Sequence, residues 1–181
     1  MRIIGGKLRG RRFSAPSSIP ARPTTDLARE GLFNVLSNLI SFEELKALEL
    51  FAGTGSVGYE LISRGAAQAT LVEQHAASIA FIKKTAKEFG IENELKAIRA
   101  DVFSFLKKSS ESYSLIFVDP PYALPNMHEL CTLILPKLKD DGIAIIEHDY
   151  RTSFEQQPHF LRAKNYGDTI FSFFTKLPKT T

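Results

Sequence analysis

The middle of the chain alternates short apolar runs with segments whose apolar residues recur every three or four positions. Short apolar runs predict buried strands, and the longer period predicts amphipathic helices. The predicted strands cover residues 46–51, 69–74, 95–101, 113–119 and 142–149, and the predicted helices between them cover residues 56–65, 77–90, 102–109 and 127–138. This alternation is typical of an α/β protein in which helices cover both faces of a parallel sheet.

The two ends of the chain depart from this rhythm. Residues 160–177 contain two strand-like runs joined at 165–169, which predicts a closing antiparallel hairpin and a mostly parallel, seven-stranded sheet. Residues 1–16 contain two short strand-like runs and predict a second hairpin. After the N-terminal hairpin, a helix starting near residue 26 is expected, with N-cap candidates at Thr24, Thr25 and Asp26. Its apolar face is predicted to hold Leu27, Ala28, Gly31, Leu32, Val35, Leu36 and Leu39.

Length and composition limit the classes of protein that fit this pattern. At 181 residues, 44% hydrophobic and 24% charged, the chain is expected to form one domain with a full core. It has no run of about 18 apolar residues and no secretory signal, so we expect a cytoplasmic protein without a membrane span. The histidines show no metal-ligand spacing, and Cys131 is expected to be a buried thiol. We expect a monomer that uses no metal.

The positive charge of the chain is concentrated at its N-terminus. Residues 1–25 contain six basic residues and no acid, whereas the remainder contains 17 basic and 20 acidic residues. Glycines among these cations favour an extended segment that can follow a phosphate backbone, although a solvated charged surface is the alternative. We therefore predict a basic RNA-binding arm over residues 1–25 and a folded domain over residues 26–181.

A glycine-rich turn with the spacing G-x-G-x-x-G follows the first predicted strand. Gly53 and Gly55 let a ligand approach the backbone, and Glu73 lies twenty residues after Gly53, as in dinucleotide-binding dehydrogenases. Glu49, just before the turn, would repel a pyrophosphate but suits the ammonium and sulfonium groups of S-adenosylmethionine. The turn therefore favours S-adenosylmethionine over NAD, and Gly58 is interpreted as a helix–strand packing residue.

Two acids at the ends of the next strands can complete a nucleoside site. Glu73 could accept hydrogen bonds from both ribose hydroxyls, with a solvated strand-end acid as the alternative. Asp101 could accept from an adenine amino group while the N–H of Val102 binds a ring nitrogen. Asp101 is equally well placed as the N-cap of the following helix, and one residue can do both.

The fourth predicted strand runs into Asp119, Pro120, Pro121 and Tyr122. The two prolines fix the backbone and remove two N–H donors, so the Asp119 carboxylate and the Pro120 carbonyl form a rigid pair of acceptors. Such a pair suits the two hydrogens of an exocyclic nucleobase amine, and Tyr122 offers a ring on which the base can stack. A proline-rich turn with a capping aspartate is the structural alternative.

These segments together resemble a known family. The glycine turn is similar to the cofactor motif of class I S-adenosylmethionine-dependent methyltransferases, and Asp-Pro-Pro-Tyr resembles the motif of enzymes that methylate amino groups. The ordered set of 1–13, 21–36, 48–58, 72–74, 117–122, 145–148 and 166–169 resembles the RsmD family of bacterial 16S rRNA (guanine-N2)-methyltransferases. The resemblance implies a Rossmann-like class I methyltransferase fold and methyl transfer to a guanine of 16S rRNA, free or in an assembling small subunit.

The resemblance also implies roles for individual residues. Cofactor contacts are expected at Glu49, Phe51, Gly53, Gly55, Glu73, Asp101 and Val102. The catalytic contacts are expected at Asp119, Pro120, Pro121 and Tyr122. The rRNA contacts are expected at Lys7, Arg9, Arg11, Arg12 and Arg22. Gly31 stands where alanine is commoner in the family. This glycine should weaken the helix predicted to start near residue 26 by roughly 1 kcal/mol.

Other functions remain open at this point. A DNA adenine-N6 methyltransferase would need a target-recognition region, for which this chain leaves little room. A protein glutamine methyltransferase would have less use for the basic arm. A non-catalytic RNA-binding assembly factor would not need complete cofactor and amine motifs. A dehydrogenase would need a hydride-transfer site that we do not find.

Overall fold

The computed structural model describes residues 1–19 and 24–177. Its strands are β1 (Lys46–Leu50), β2 (Gln68–Glu73), β3 (Leu95–Arg99), β4 (Tyr113–Val118), β5 (Leu138–His148), β6 (Phe160–Tyr166) and β7 (Thr169–Thr175). Its α-helices are α1 (Asp26–Ser37), α2 (Ser56–Ser63), α3 (Ala76–Phe89), α4 (Val102–Lys108) and α5 (Met127–Ile134), and one 3₁₀ turn spans Leu135–Lys137. The predicted alternation of strands and helices is confirmed.

The seven strands form one sheet in the order β3-β2-β1-β4-β5-β7-β6. Strands β1 to β5 pair in parallel, and β7 runs antiparallel between β5 and β6. The predicted α/β fold with a closing hairpin is thus confirmed. The strand order reverses between β1 and β4, and in such sheets this is where ligands bind beyond the carboxyl ends of the strands.

Two hydrophobic clusters cover the two faces of the sheet. One cluster contains Leu32, Leu61 and Ile82 from α1, α2 and α3, and the other contains Leu106 and Leu130 from α4 and α5. Each cluster takes alternate residues of the same strands, as a sheet buried on both faces requires. The central strands are therefore almost continuously apolar, which is why the sequence pattern located them.

Helix α1 starts as predicted but turns a different side chain inward. Thr25 is the N-cap, its hydroxyl accepting from the N–H of Ala28 at 3.2 Å. The predicted place of Leu27 on the buried face is wrong, because Leu27 is 73% exposed, whereas Arg29 and Phe33 are buried. The helical period gives the spacing of a face but not its exact rotation about the axis, and here the helix turns Arg29 towards the N-terminal segment.

The N-terminal segment pairs with itself and packs on α2. The N–H of Ile3 donates to the carbonyl of Arg11 at 2.9 Å, and Arg2 and Arg12 form an isolated antiparallel bridge. Ile3, Leu8 and Phe13 are buried in the same cluster as the core of the sheet. Residues 1–19 are therefore fixed by packing, with their cations left on the outside.

Within the part of the chain described, no helix has both the length and the apolar character needed to cross a bilayer.

Candidate active site

A cleft of about 350 Å³ lies at the carboxyl ends of the parallel strands. Six segments of the chain contribute to it: the residues before α1, the turns after β1, β2 and β4, the end of β5 and the β6–β7 hairpin. Its lining residues are Thr24, Thr25, Phe51, Gly53, Glu73, Gln74, His75, Asp119, Pro120, Pro121, Tyr122, Glu147 and Thr169. Seven of the predicted cofactor and catalytic residues are thus brought together in one cleft, although they span about seventy positions of sequence.

The turn after β1 has an unusual backbone that fits a close approach to a ligand. Phe51, Gly53 and Gly55 all have positive φ, at 57°, 53° and 76°. A phenylalanine in the left-handed region is strained, and such strain is common at functional sites. Gly55 ends the turn and is the N-cap of α2.

Glu49 lies beneath the start of α2 rather than in the lining of the cleft. It is 3% exposed, and its carboxylate accepts from the N–H of Gly58 at 2.7 Å and from that of Val57. Burial outweighs these hydrogen bonds and raises the pKa of Glu49 to about 8. Because this side chain already accepts from amides of the first turn of α2, the helix offers less to a pyrophosphate. Its contact with a cofactor stays a prediction.

Gly58 allows the close packing of α2 on the sheet. A Cβ atom at this position would lie 2.7 Å from Cδ1 of Leu71 and 2.8 Å from Oε2 of Glu49. The interpretation of Gly58 as a packing residue is therefore confirmed.

Glu73 is buried at the end of β2 with both carboxylate oxygens fixed. One oxygen accepts from the N–H of Gly53 at 3.0 Å, and the other accepts from the N–H of His75 at 2.9 Å. A carboxylate has about four acceptor positions, so ligand hydroxyls can still bind. The first of these hydrogen bonds connects Glu73, on β2, to the glycine turn after β1. The twenty-residue spacing alone does not reveal this contact.

Asp101 and Val102 lie outside the lining of the cleft. The Asp101 side chain accepts from the N–H of Ser104 at 2.8 Å and caps α4, so its N-cap role is confirmed. Val102 is buried in the first turn of that helix. Their contacts with an adenine ring remain predictions.

The Asp-Pro-Pro-Tyr segment joins β4 to its neighbours on both sides. The N–H of Asp119 donates to the carbonyl of Leu50 at 3.2 Å, and the Tyr122 hydroxyl donates to Oε1 of Glu147 at 3.2 Å. Burial and the nearby charge of Glu147 raise the pKa of Tyr122 to about 12. Tyr122 therefore remains a neutral donor at physiological pH, with its ring beside the cleft.

Glu147 and the threonines were missed by the sequence analysis. Glu147 is 4% exposed, and Thr24 donates from Oγ1 to its Oε2 at 2.9 Å. The signal was present, because Glu147 is the acid at the end of the fifth parallel strand, as Glu73 is at the end of the second. Thr24, Thr25 and Thr169 come from segments distant in sequence, and no local pattern indicated their approach.

The cations of the N-terminal segment lie on the surface, away from the residues that line the cleft. Lys7, Arg9, Arg11 and Arg12 are exposed. Lys7 pairs with Glu94 at 3.1 Å, and the guanidinium of Arg11 lies 5.4 Å from the ring centre of Phe89. Arg22 lies outside the described residues. RNA binding by these cations remains a prediction.

No group of three or more His, Cys, Asp or Glu side chains suited to a metal ion occurs in residues 1–19 and 24–177. Cys131 is buried, which raises the pKa of its thiol to about 12, so the prediction of a buried thiol is confirmed.

The sheet order and the strand-end cleft are those of the class I methyltransferase fold, and solved structures share this fold. A protein of Thermus thermophilus superposes with a TM-score of 0.84 and 26% identity, covering 97% of this chain and 99% of that one. An RNA methyltransferase of Salinibacter ruber, in complex with S-adenosyl-L-homocysteine, shares the fold at a TM-score of 0.68 and 14% identity, covering 88% and 98% of the two chains.

The family model described as "Conserved hypothetical protein 95" matches residues 1–175. Ribosomal RNA small subunit methyltransferase D of Escherichia coli K12 is 35% identical over 161 residues, which cover 87% of this chain and 79% of the relative. The relative of the same name from Haemophilus influenzae is 31% identical over 81% of this chain and 78% of its own length. The chain therefore belongs to this family, the RsmD family.

Proposed function

We propose that this protein transfers a methyl group from S-adenosylmethionine to the exocyclic N2 amine of one guanine in 16S rRNA. The observation that carries the proposal is the single cleft that contains both the glycine turn with Glu73 and the Asp119–Tyr122 segment. A cofactor site and an amine site must meet for direct transfer, and the turn after β1 and the segment after β4 line the same cleft.

The residues of the first half of the cleft fit S-adenosylmethionine. Gly53 lines the cleft without a side chain, and the Glu73 carboxylate has acceptor positions for ribose hydroxyls. Glu49, below the turn, would contact one end of the cofactor. Asp101 and Val102, at the start of α4, would contact the other end. The bound cofactor supplies an electrophilic methyl group. The complex of the Salinibacter RNA methyltransferase with S-adenosyl-L-homocysteine supports this choice.

The second half of the cleft fits a planar base with an amino group. The Asp119 carboxylate and the Pro120 carbonyl accept the two N–H bonds of the amine, and Pro121 keeps the loop rigid. Tyr122 stacks on the base. In this arrangement the nitrogen lone pair is directed at the methyl carbon instead of into the ring. Asp119 stabilises the positive charge that develops on the nitrogen, whose proton then leaves to solvent.

Positioning supplies most of the expected acceleration. Bringing two reactants into alignment can lower a barrier by about 7–11 kcal/mol. The target guanine must leave its stack to enter a cleft at the rim of the sheet. The exposed cations Lys7, Arg9, Arg11 and Arg12 would bind rRNA phosphates away from the cleft, and the small-subunit rRNA methyltransferases among the relatives support small-subunit rRNA as the partner.

Label transfer tests this function directly. Purified protein is incubated with methyl-labelled S-adenosylmethionine and 30S subunits from a strain lacking the gene, and the labelled nucleotide is mapped. We expect label on N2 of a single guanine. Label on adenine or on protein would replace the proposed substrate, and an absence of cofactor binding by calorimetry would favour a non-catalytic RNA-binding protein.

The variant Asp119→Ala separates the two halves of the cleft. We expect it to abolish turnover while the calorimetric affinity for S-adenosylmethionine stays within about twofold of wild type, because the cofactor contacts lie on other strands. An equal loss of turnover and of cofactor binding would contradict the assigned role.

A further inference from the structure

We propose that Glu147 selects guanine over other purines by accepting a hydrogen bond from the ring N1–H of the target base. This inference rests on the proposed function, because it concerns the base whose N2 amine is held by Asp119. It adds a specificity-determining residue that the Asp-Pro-Pro-Tyr segment does not contain.

The sheet register places Glu147 beside Asp119. Val118 of β4 pairs with Ile146 of β5, so Asp119 and Glu147 are the next residues along two adjacent parallel strands. Adjacent strands lie about 4.8 Å apart, and both residues line the same cleft. Guanine presents N1–H and the N2 amine next to each other on one edge. Two neighbouring carboxylates therefore match two neighbouring groups of donors.

Two hydroxyl donors fix the orientation of the Glu147 carboxylate. Tyr122 donates to Oε1 at 3.2 Å, and Thr24 donates to Oε2 at 2.9 Å. Both partners are hydroxyl groups that donate, which leaves the carboxylate as the acceptor. A carboxylate has about four acceptor positions, and the proposed contact with N1–H uses one of them. The acid is thus buried and oriented at the wall of the cleft.

The contact discriminates between bases by the chemistry at N1. Guanine has a proton at N1, whereas adenine and 2-aminopurine have a lone pair there. A lone pair that faces a buried carboxylate brings two acceptors together, so neither donates to the other and the contact is unfavourable. The Asp-Pro-Pro-Tyr acceptors hold any exocyclic amine, so a second group is needed to read the ring.

The purine 2-aminopurine tests this contact, since it keeps the 2-amino group but lacks the N1 proton. Small-subunit rRNA with guanosine or 2-aminopurine riboside at the mapped target position is assembled into subunits. The ratio of kcat/KM for the two substrates is measured with wild-type protein. We expect guanine to be preferred by roughly tenfold or more, as for a site whose buried polar group loses its partner.

The variant Glu147→Gln should reduce or invert that preference. Its side-chain amide can rotate to donate an N–H to the N1 lone pair of 2-aminopurine. The matched control is Thr24→Val, which removes a hydroxyl that orients the acid but keeps the carboxylate itself. We expect Thr24→Val to lower kcat/KM for both substrates while the guanine preference persists.

Each outcome decides between the hypotheses. Equal rates of wild-type protein on guanine and 2-aminopurine would overturn the role of Glu147 without any variant, and so would an unchanged preference in a folded Glu147→Gln. Calorimetric binding of S-adenosylmethionine checks that the variants are folded. Failure of the wild-type protein to methylate guanine at all would instead overturn the proposed function.

Discussion

Glu49 and Glu73 end neighbouring parallel strands beside the same glycine turn, yet their surroundings differ. The Glu49 carboxylate is enclosed under α2, where it accepts from the N–H groups of Val57 and Gly58. The Glu73 carboxylate lines the cleft, where it accepts from Gly53 and His75. The first acid therefore supports the turn from below, and the second faces the cleft.

The buried Glu49 should make stability depend on pH. Its pKa of about 8 in the folded protein lies above the value of about 4.3 in an unfolded chain, so folding takes up a proton between these values. This contribution is fully present below about pH 4.3 and is lost as the pH rises to about 8. The slope is at most about 1.4 kcal/mol per pH unit.

Glu49→Gln carries no titrating group and should flatten this part of the profile. Urea unfolding of both proteins at a series of pH values between about 5 and 8 measures the difference. If the free energy of unfolding has the same slope in the variant and the wild type, Glu49 is not the group responsible.

At the scale of the elements, the N-terminal segment is held on α2 by specific backbone contacts. The Glu60 carboxylate accepts from the N–H groups of Ile4 at 2.8 Å and Gly5 at 2.7 Å, and Lys7 donates its N–H to the carbonyl of Ser63 at 2.7 Å. This segment is a basic surface fixed in place, so it can present its cations without a large ordering cost on binding.

Two glycines in the N-terminal segment provide a matched test of the close packing of this segment on α2. Gly6 and Gly10 both have positive φ, at 75° and 84°, but a Cβ on Gly6 would lie 1.8 Å from the carbonyl oxygen of Ser63, whereas a Cβ on Gly10 has no neighbour within 4 Å. We expect Gly10→Ala to cost about 1 kcal/mol from backbone strain alone. Gly6→Ala should cost at least about 2 kcal/mol more, because it separates the segment from α2. Chemical denaturation compares them, and equal losses would contradict the described packing.

Two acids that contact the same segment differ in burial and should differ in effect. Glu60 is buried and holds two backbone N–H groups, whereas Glu94 forms an exposed pair with Lys7. Glu60→Gln should lower the free energy of unfolding by about 2 kcal/mol, and Glu94→Gln by less than about 1 kcal/mol. Faster amide hydrogen exchange at Ile4 and Gly5 should accompany only the first change.

At the scale of the whole molecule, the basic N-terminal surface is separate from the cleft. Residues 1–25 carry all of the net positive charge of the chain, whereas the residues that line the described cleft include no lysine or arginine. We therefore expect a polyanion to bind one part of the surface while a single base enters another part. Contacts between cations and phosphates position the RNA and carry no sequence information.

Removing exposed cations should weaken rRNA binding without affecting the cofactor. We expect Arg9→Gln with Arg12→Gln to lower the affinity for 16S rRNA and to reduce the slope of log K against log salt by about 0.7–0.9 for each phosphate that the variant no longer neutralises. Lys139→Gln, an exposed lysine on β5 outside residues 1–25, is the control. Filter binding at several salt concentrations measures the slopes, and equal slopes for the variant and the wild type would place the RNA elsewhere.

Most of the sheet and half of the site could be predicted because they depend on local patterns. Apolar runs located the central strands, and the acids and glycines at their ends located Glu73, Gly53 and Asp119. The rotation of α1 could not be predicted. Arg29 is fully buried there and donates to the carbonyl of Arg2 in the N-terminal segment and to Asp26 at 2.8 Å, whereas Leu27 is exposed. A charged side chain is buried only when other segments supply partners, and those partners are set by packing.

The sequence by itself determined the class of fold and the chemistry of its strand ends, because both follow from periodicity and from residue type at a strand terminus. Only the tertiary structure decided which acids face the cleft. Glu49 became a buried support, and Glu147 became a neighbour of Asp119 through the β4–β5 register and two hydroxyl donors. Direction and distance between side chains on different strands arise from packing, and no local pattern encodes them.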